Sequence, residues 1–262
     1  MTLYIHELRR GRKSLLIWSG IVAFMLFIVM IMFPEMKNQM DGVNEMFTSM
    51  GDFTAAFGMD KINFGEVMGF YAIEGGNMLG IGGAFFAAML GVGALAKEEA
   101  NHTAEFLLTH PISRYRIISE KLLAVITQLM LFNAICIVVS IVSFYIIGED
   151  IIWDKFLLFH LGQFLMHIEI ACICFCLSAF LKLRGMGIGL GFAALLYFLN
   201  IIGNISEKAD FVKYITPFRY AEPADIIAES TLDGTLVFLG ILYSIICIGL
   251  AYWKYSRKDI AA

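Results

Sequence analysis

The sequence predicts an all-α integral membrane protein with six transmembrane helices and both termini in the cytoplasm. Of the 262 residues, 59% are hydrophobic and 16% are charged, whereas a soluble domain is about half apolar and about a quarter charged. Six apolar stretches approach the roughly 20 residues that a helix needs to cross a bilayer. They are residues 15–33, 78–96, 122–147, 156–181, 185–205 and 236–253.

These stretches leave no segment long enough for a soluble enzyme domain, so we expect a single transmembrane domain over residues 1–262 without enzymatic activity. The first stretch follows a basic run, as the apolar region of a signal peptide does. It is longer than a typical signal region, and it ends in Phe33-Pro34-Glu35 without a small-residue cleavage site. We therefore predict an uncleaved membrane anchor.

The distribution of charges predicts the orientation. With the N-terminus inside, the cytoplasmic segments hold 13 of the 19 Lys and Arg residues. Sixteen of the 23 acidic residues fall on the outer side, six fall inside, and Glu169 lies within a span. Cytoplasmic loops carry an excess of Lys and Arg. We expect a multi-pass protein of the bacterial plasma membrane with both termini inside.

Two outer segments have recognisable patterns. Apolar residues recur at helical spacing from Met36 to Met50, which indicates an amphipathic helix on the outer membrane surface or a packed connector. The second segment, residues 206–234, mixes charges with aromatic residues and two prolines. This composition is typical of short interfacial or re-entrant helices.

The inner loop at residues 97–121 separates its polar and apolar residues by helical spacing. One face carries Ala100, Thr103, Ala104, Leu107 and Leu108, and another carries Lys97, Glu98, Asn101 and Glu105. Pro111 ends this short helix, and Ser113 is placed to cap the next one. Periodicity alone fits either a docking surface for a cytosolic partner or an ordinary connector at the lipid headgroups.

The residues of this loop add a family resemblance. Lys97-Glu98-Glu99, then the run TAEFLLTHPISR at residues 103–114, then Glu120-Lys121-Leu122-Leu123 resemble the inner loop of permeases in the type-2 superfamily of ATP-binding-cassette (ABC) exporters. The run ELRRGRKSL at residues 7–15 is similar to the amphipathic N-terminal helix of that family. Thr216-Pro217-Phe218-Arg219-Tyr220 is similar to the segment before its last span.

The resemblance implies a permease subunit that moves a peptide, drug or ion outward. Two permeases, identical or paralogous, would pair in the lipid, and each inner loop would act as a coupling helix that docks onto a cytosolic ABC ATPase subunit. The residues expected to make that coupling are Glu98, Glu99, Glu105, Phe106, Leu107, Leu108, Pro111 and Arg114. We expect no nucleic-acid partner.

The cofactors are expected on the partner. The sequence has no Gly-x-x-x-x-Gly-Lys-Ser/Thr phosphate loop and no Gly-Lys pair. We therefore expect no cofactor in this chain, with ATP and Mg²⁺ bound by the ATPase. Cys172, Cys174 and Cys176 are spaced two apart, which on a helix turns their side chains in different directions. They are expected to be small packing residues rather than metal ligands.

Glu169 lies near the middle of the fourth apolar stretch, where a charge costs at least ~2.5 kcal/mol. It must face the bundle interior, a water-filled cavity or a partner subunit. Helical spacing places His167 nearly opposite, so we expect other partners: Gln128, Asn133 or Asn200. Two interpretations stay open. Glu169, Asn133 and Asn200 could line a translocation path, or Glu169 could be a neutral, hydrogen-bonded structural carboxyl.

Two rival functions follow from these acidic residues. A proton-coupled secondary transporter would use Glu169 as its proton site, but the order of loops and charges contains no repeat of spans. An intramembrane peptidase would use Glu98 and Glu99. That pair has no arginine four residues on and falls in a loop rather than in a span, which disfavours the second rival.

Overall fold

The computed structural model describes residues 2–37, 51, 54, 56, 58–59, 61–101, 112–181 and 185–258. Within these ranges the regular structure is helical and contains no strand. The elements in chain order are α1 (Thr2–Lys37), α2 (Val67–Phe70), a π-helical turn (Tyr71–Gly75), α3 (Gly76–Ala100), α4 (Arg114–Ile147), α5 (Trp153–Phe180), α6 (Met186–Ile205), a 3-10 helix (Glu207–Tyr214), α7 (Pro223–Glu229) and α8 (Gly234–Arg257).

Six helices in the described ranges are long and apolar enough to cross a membrane, which confirms the predicted number of spans. We number the spans in chain order. The first is α1, and the second runs without interruption through α2, the π-helical turn and α3. The third, fourth, fifth and sixth spans are α4, α5, α6 and α8.

Several spans are longer than their apolar stretches. The first helix starts at Thr2, so the N-terminal basic segment and the first span form one continuous helix. The second span starts at Val67 rather than at residue 78, because backbone hydrogen bonding continues through Glu74 although its charge lowers the local hydropathy. The third span starts at Arg114. Ser113 caps it, as predicted, by accepting a hydrogen bond of 3.3 Å from the Arg116 backbone N–H.

The second and fourth spans form the centre of the bundle. In the most apolar 18 residues of these two spans, 61% and 67% of the residues are buried, against 17–39% in the other four spans. Small residues allow this close approach: a side chain at Gly83 would collide with His167, and one at Gly91 would collide with the backbone of Ala171. The first and third spans pack together on one side, while the fifth packs on the second and the sixth packs on the fourth.

The two ends of the bundle have different contents. At one end, the Tyr4 backbone N–H donates to Glu120 at the start of the third span, and Arg114 reaches the end of the sixth span. We call this the terminal end, because the chain enters the first helix and leaves the last one here. The opposite, distal end holds residues 206–233. The 3-10 helix and α7 in this segment confirm the predicted short helices.

Two predicted segments fall largely outside the described residues. The surface helix expected from Met36 to Met50 is described only at its first two residues, which continue α1. Residues 102–111, the middle of the predicted coupling helix, are also outside, and with them Glu105, Phe106, Leu107, Leu108 and Pro111.

Candidate functional site

A buried lysine organises the terminal end of the bundle. The side chain of Lys121, in the third span, is 1% exposed. Its ammonium contacts a carboxylate oxygen of Glu98 at 2.7 Å, the backbone carbonyl of Ala94 at 2.8 Å and a carboxylate oxygen of Glu7 at 3.3 Å. A buried charge is stable only when it is paired and hydrogen-bonded. These contacts join the first, second and third spans.

A second lysine completes this group. Lys97 donates to the other carboxylate oxygen of Glu7, so Glu7 bridges Lys97 and Lys121. Lys97 and Glu98 are neighbours in the last turn of α3, and each finds its partner on a different helix. The two lysines and the two glutamates balance in charge. We call Glu7, Lys97, Glu98 and Lys121 the terminal ion cluster.

Lys258 makes a separate ion pair at the same end. Its ammonium lies 2.8 Å from a carboxylate oxygen of Glu99, and both side chains are 6% exposed. The same ammonium donates to the backbone carbonyl of Leu181, at the end of the fourth span, across 2.8 Å. Lys258 thereby connects the residue after the sixth span to the ends of the second and fourth spans.

Arg114 caps the sixth span. Its guanidinium donates to the backbone carbonyls of Tyr255, Ser256 and Lys258 at 3.4, 3.1 and 2.6 Å. The last carbonyls of a helix lack partners within the helix, and a cation is favourable near them. Arg114 is the first residue of the third span. The start of the third span is therefore fixed to the end of the sixth.

The described coupling residues flank residues 102–111 on both sides. We expected Glu98 and Glu99 to meet basic residues of an ATPase. In the structure both carboxylates are buried and paired with lysines of this chain. Arg114 likewise bonds to carbonyls of its own chain. The observed role of these three residues is to join spans, and their contact with an ATPase stays a prediction.

A second group of polar side chains holds the distal segment. The phenol of Tyr220 donates to the carboxylate of Glu169 across 2.9 Å. Gln163, in the same span as Glu169, donates to the backbone carbonyl of Ala221 at 2.9 Å. Asn200 of the fifth span donates to the carboxylate of Glu222 at 2.8 Å. Three consecutive residues, 220–222, are thus bonded to two spans. We call these contacts the distal clamp.

The chemistry of Tyr220 and Glu222 follows from their burial. Burial first, and then the neighbouring Glu169 carboxylate, hold the pKa of Tyr220 well above its ordinary value, so the phenol keeps the proton that it donates. Burial also raises the pKa of Glu222, while hydrogen bonds from Asn200 and Asn204 act in the opposite direction. Arg219 and Asp225 form an ion pair of 2.9 Å beside this carboxyl.

The predicted partners of Glu169 were wrong. Asn200 bonds to Glu222. Asn133 donates to the Leu129 carbonyl at 3.0 Å and lies 3.3 Å from His167 Nδ1. Gln128 donates to a carbonyl of its own helix, and it lines a cavity with residues of the terminal ion cluster. Glu169 and Asn200 therefore bond to different residues of the distal clamp, and Asn133 bonds within a separate group. A translocation path along Glu169, Asn133 and Asn200 stays a prediction.

Sequence reasoning also missed functional partners. Lys121 carried a usable signal, because it directly precedes an apolar stretch, where an unpaired charge is costly. Glu7, Lys258 and Glu222 carried no comparable signal, since each lies in a segment rich in other charges. The position of Tyr220 depends on how residues 215–222 turn back onto the fourth span, which no helical or strand period describes.

Comparison with known proteins agrees with this architecture. The family model described as ABC-2 family transporter protein matches residues 1–260. A comparison with curated proteins gave no match. The family match covers nearly the whole chain, including all six spanning helices and both groups of polar contacts. The chain therefore belongs to the ABC-2 family of transporter proteins and is a multi-pass membrane component of an ABC transporter.

Proposed function

We propose that the chain is the permease subunit of an ATP-driven exporter, which moves a peptide, drug or ion outward with energy from a separate ATPase subunit. The observation that carries this proposal is the set of bonds on either side of residues 102–111. Glu98 and Glu99 precede this segment and Arg114 follows it. Glu98 bonds to Lys121 of the third span, while Glu99 and Arg114 bond to the end of the sixth.

These bonds supply a physical route for coupling. A partner that pushes on residues 102–111 would exert a force on the residues before and after this segment. On one side the terminal ion cluster transmits that force to the first and third spans through Lys121. On the other side Arg114 transmits it to the end of the sixth span. Breaking a buried, paired contact costs more free energy than breaking a surface ion pair, so the spans would move with the segment.

The proposal includes the partners and the cell location. ATP and Mg²⁺ would bind to the ATPase, since this sequence has no phosphate loop. Two permeases, identical or paralogous, would form the pathway. The host membrane would be the bacterial plasma membrane, with both termini inside, as the distribution of Lys and Arg favours. Phe106, Leu107 and Leu108 would supply the apolar contacts with the ATPase.

Reconstitution with the ATPase tests the proposal. We expect the purified chain to hydrolyse no ATP by itself, and ATP hydrolysis to appear when the ATPase of the same system is added. Phe106→Ala should lower co-purification of the ATPase more than ten-fold, because losing an apolar anchor in an interface costs ~2 kcal/mol or more. Phe211→Ala is the control, since Phe211 is exposed at the distal end.

Two results would contradict the proposal. The first is ATP hydrolysis by the chain without any partner. The second is full transport in vesicles that contain no ATPase but maintain a proton gradient. Loss of that transport in Glu169→Gln would favour the proton-coupled alternative. Under our proposal, an ionophore that removes the proton gradient leaves ATP-driven transport in place.

A further inference from the structure

A cavity of ≈160 Å³ lies between the first, second and third spans near the terminal end. The terminal ion cluster forms one wall of it through Glu7, Lys97 and Lys121. Arg10 contributes a further cation, and Met89 and other apolar residues form the deeper wall. No role assigned above uses this cavity.

The cavity crosses the boundary between charged and uncharged residues. In the first span the basic run ends at Lys13, and the next charged residue is Glu35. The second span has no charged residue between Glu74 and Lys97, and the third has none from residue 122 to its end. The headgroup layer of the bilayer therefore meets the protein at the level of Arg10 and Lys97, with the apolar wall of the cavity in the hydrocarbon below.

The charge of the lining favours an anion. Lys97 and Lys121 are balanced by Glu7 and Glu98, so Arg10 gives the cavity a net positive charge of one. Arg10 is exposed and makes no ion pair within the described part of the chain. An exposed guanidinium that is free to bind phosphate oxygens in pairs is well suited to a phosphate ester.

A buried polar group in the lining points to the rest of the ligand. Gln128 is 5% exposed, and its Oε1 has no hydrogen-bond partner among the residues that the structure describes. This oxygen lies against Gly11, which also lines the cavity and leaves room for it by having no Cβ. A buried acceptor without a donor costs free energy. A ligand that carries a hydroxyl as well as an anionic group would satisfy both Gln128 and Arg10.

We propose that this cavity binds the headgroup of an anionic phospholipid with free hydroxyls, of the phosphatidylglycerol type. The phosphate lies against Arg10 and Lys97, and a headgroup hydroxyl donates to Gln128. The acyl chains remain in the bilayer beside Met89 and the apolar surface of the first span. The lipid thereby bridges three spans at the level of the terminal ion cluster. This inference does not depend on the direction or the cargo of transport.

Gly93 offers a direct way to fill the cavity. It lines the cavity, and a Cβ added there meets nothing within 4 Å. Gly93→Leu therefore starts a side chain in open space at the cavity wall. Gly20→Leu is the matched control, because Gly20 also has open space around its missing Cβ but does not line the cavity. Arg10→Gln removes the free cation, and Arg12→Gln is its control among the exposed residues of the same segment.

The measurement is native mass spectrometry of the purified full-length chain, released from a neutral detergent with added dioleoyl-phosphatidylglycerol or dioleoyl-phosphatidylcholine. We expect one molecule of phosphatidylglycerol to bind in preference to phosphatidylcholine. Gly93→Leu should weaken that binding at least ten-fold. Arg10→Gln should weaken it about five-fold, the effect of one basic residue at an anionic lipid surface. Both control variants should bind as the unmodified chain does.

Each other outcome overturns the proposal. Equal binding of the two lipids would show that charge does not select the ligand. Unchanged phosphatidylglycerol binding in both Gly93→Leu and Arg10→Gln would place the lipid elsewhere. Equal losses in Gly20→Leu or Arg12→Gln would show that the effect is not local to the cavity. Competition by soluble glycerol phosphate at the same concentration as the lipid would make the cavity an anion site without lipid specificity.

Discussion

The hydroxyl of Tyr220 donates a hydrogen bond of 2.9 Å to the carboxylate of Glu169, joining the distal segment to the fourth span. The same carboxylate lies against Gly240 of the sixth span. A polar residue within a span usually marks a transport pathway or a partner. Here the partner is a loop residue that turns back onto the bundle, so the distal clamp accounts for the burial of Glu169.

Removing the hydroxyl of this tyrosine tests the bond. Tyr220→Phe keeps the packed ring and leaves the buried Glu169 carboxyl without its donor. We expect the free energy of unfolding to fall by about 1–3 kcal/mol. The measurement is thermal or denaturant unfolding of the purified protein in detergent. Tyr145→Phe is the control, because Tyr145 is 87% exposed. An equal effect of the two variants would contradict the importance of the bond.

A methyl group at Gly240 should disturb the same site from the sixth span. A Cβ there collides with the Glu169 carboxylate, which is itself fixed by Tyr220. Gly240→Ala should therefore destabilise the protein by about 1–3 kcal/mol, the usual cost of overpacking. Gly249→Ala, in the same helix, meets open space and should be neutral or slightly stabilising. Comparable unfolding midpoints for the two variants would refute this contact.

The buried carboxyl of Glu222 should make stability depend on pH. Burial raises its pKa above the value of the unfolded chain, so at a pH between the two pKa values the folded state binds more protons than the unfolded state. This contribution to stability is complete below the unfolded pKa of about 4.5 and is lost as the pH rises through the folded pKa. Glu222→Gln should remove this part of the dependence, whereas Glu229→Gln, at an exposed position, should leave it.

Measuring the free energy of unfolding from pH 4 to pH 8 checks the direction of this pH dependence. The difference in stability between Glu222→Gln and the unmodified chain should grow in favour of the variant as the pH rises. A parallel dependence in the two proteins would show that Glu222 does not titrate differently on folding. Arg219 and Asp225 remain in both, so their ion pair contributes equally to each curve.

Labelling in intact cells tests the orientation that the charges predict. On a cysteine-free background, an impermeant maleimide should modify Thr231→Cys in intact cells, since this exposed residue lies at the distal end. It should modify His6→Cys, at the terminal end, only after the cells are permeabilised. The physical basis is the excess of Lys and Arg on cytoplasmic segments. The reverse pattern would invert the orientation.

The spans could be predicted from sequence because apolar length alone specifies them in a bilayer. The cap at Ser113 could be predicted as well, since it depends on a single residue and its own backbone. The hydrogen-bond partners of Glu169 could not be predicted from the sequence. Periodicity fixes the face of a helix on which a residue lies, but the path of the segment around Tyr220 depends on tertiary packing.

The lysine–glutamate pairs of the terminal end show the same limit. Helical spacing placed Glu98 on a polar face, and both Glu98 and Glu99 were expected to contact an external partner. Lys121 and Lys258 reach them instead from elsewhere in the chain. Which face of a short charged segment meets solvent depends on the position of lysines that are distant in sequence. A pattern of local spacing does not contain that information.

The last prediction concerns Lys121, whose ammonium holds Glu98 and Glu7 together in a site that is almost closed to solvent. Lys121→Met keeps the length of the side chain and removes its charge, so two carboxylates lose a shared cation. We expect a loss of about 3–5 kcal/mol in the free energy of unfolding, as when one partner of a buried ion pair is removed. Lys13→Met, at an exposed position in the basic run, should change stability by less than about 0.5 kcal/mol.

A double variant separates pairing from packing. If the cost of Lys121→Met arises from the unpaired Glu98 carboxylate, adding Glu98→Gln should recover part of the stability, because a neutral amide tolerates burial better than a charge. The coupling energy between the two positions should then be about 0.5–3 kcal/mol in magnitude, the range for residues in contact. Additive losses would mean that the ammonium and the carboxylate do not interact, and the proposed transmission from residues 102–111 to the third span would lose its physical basis.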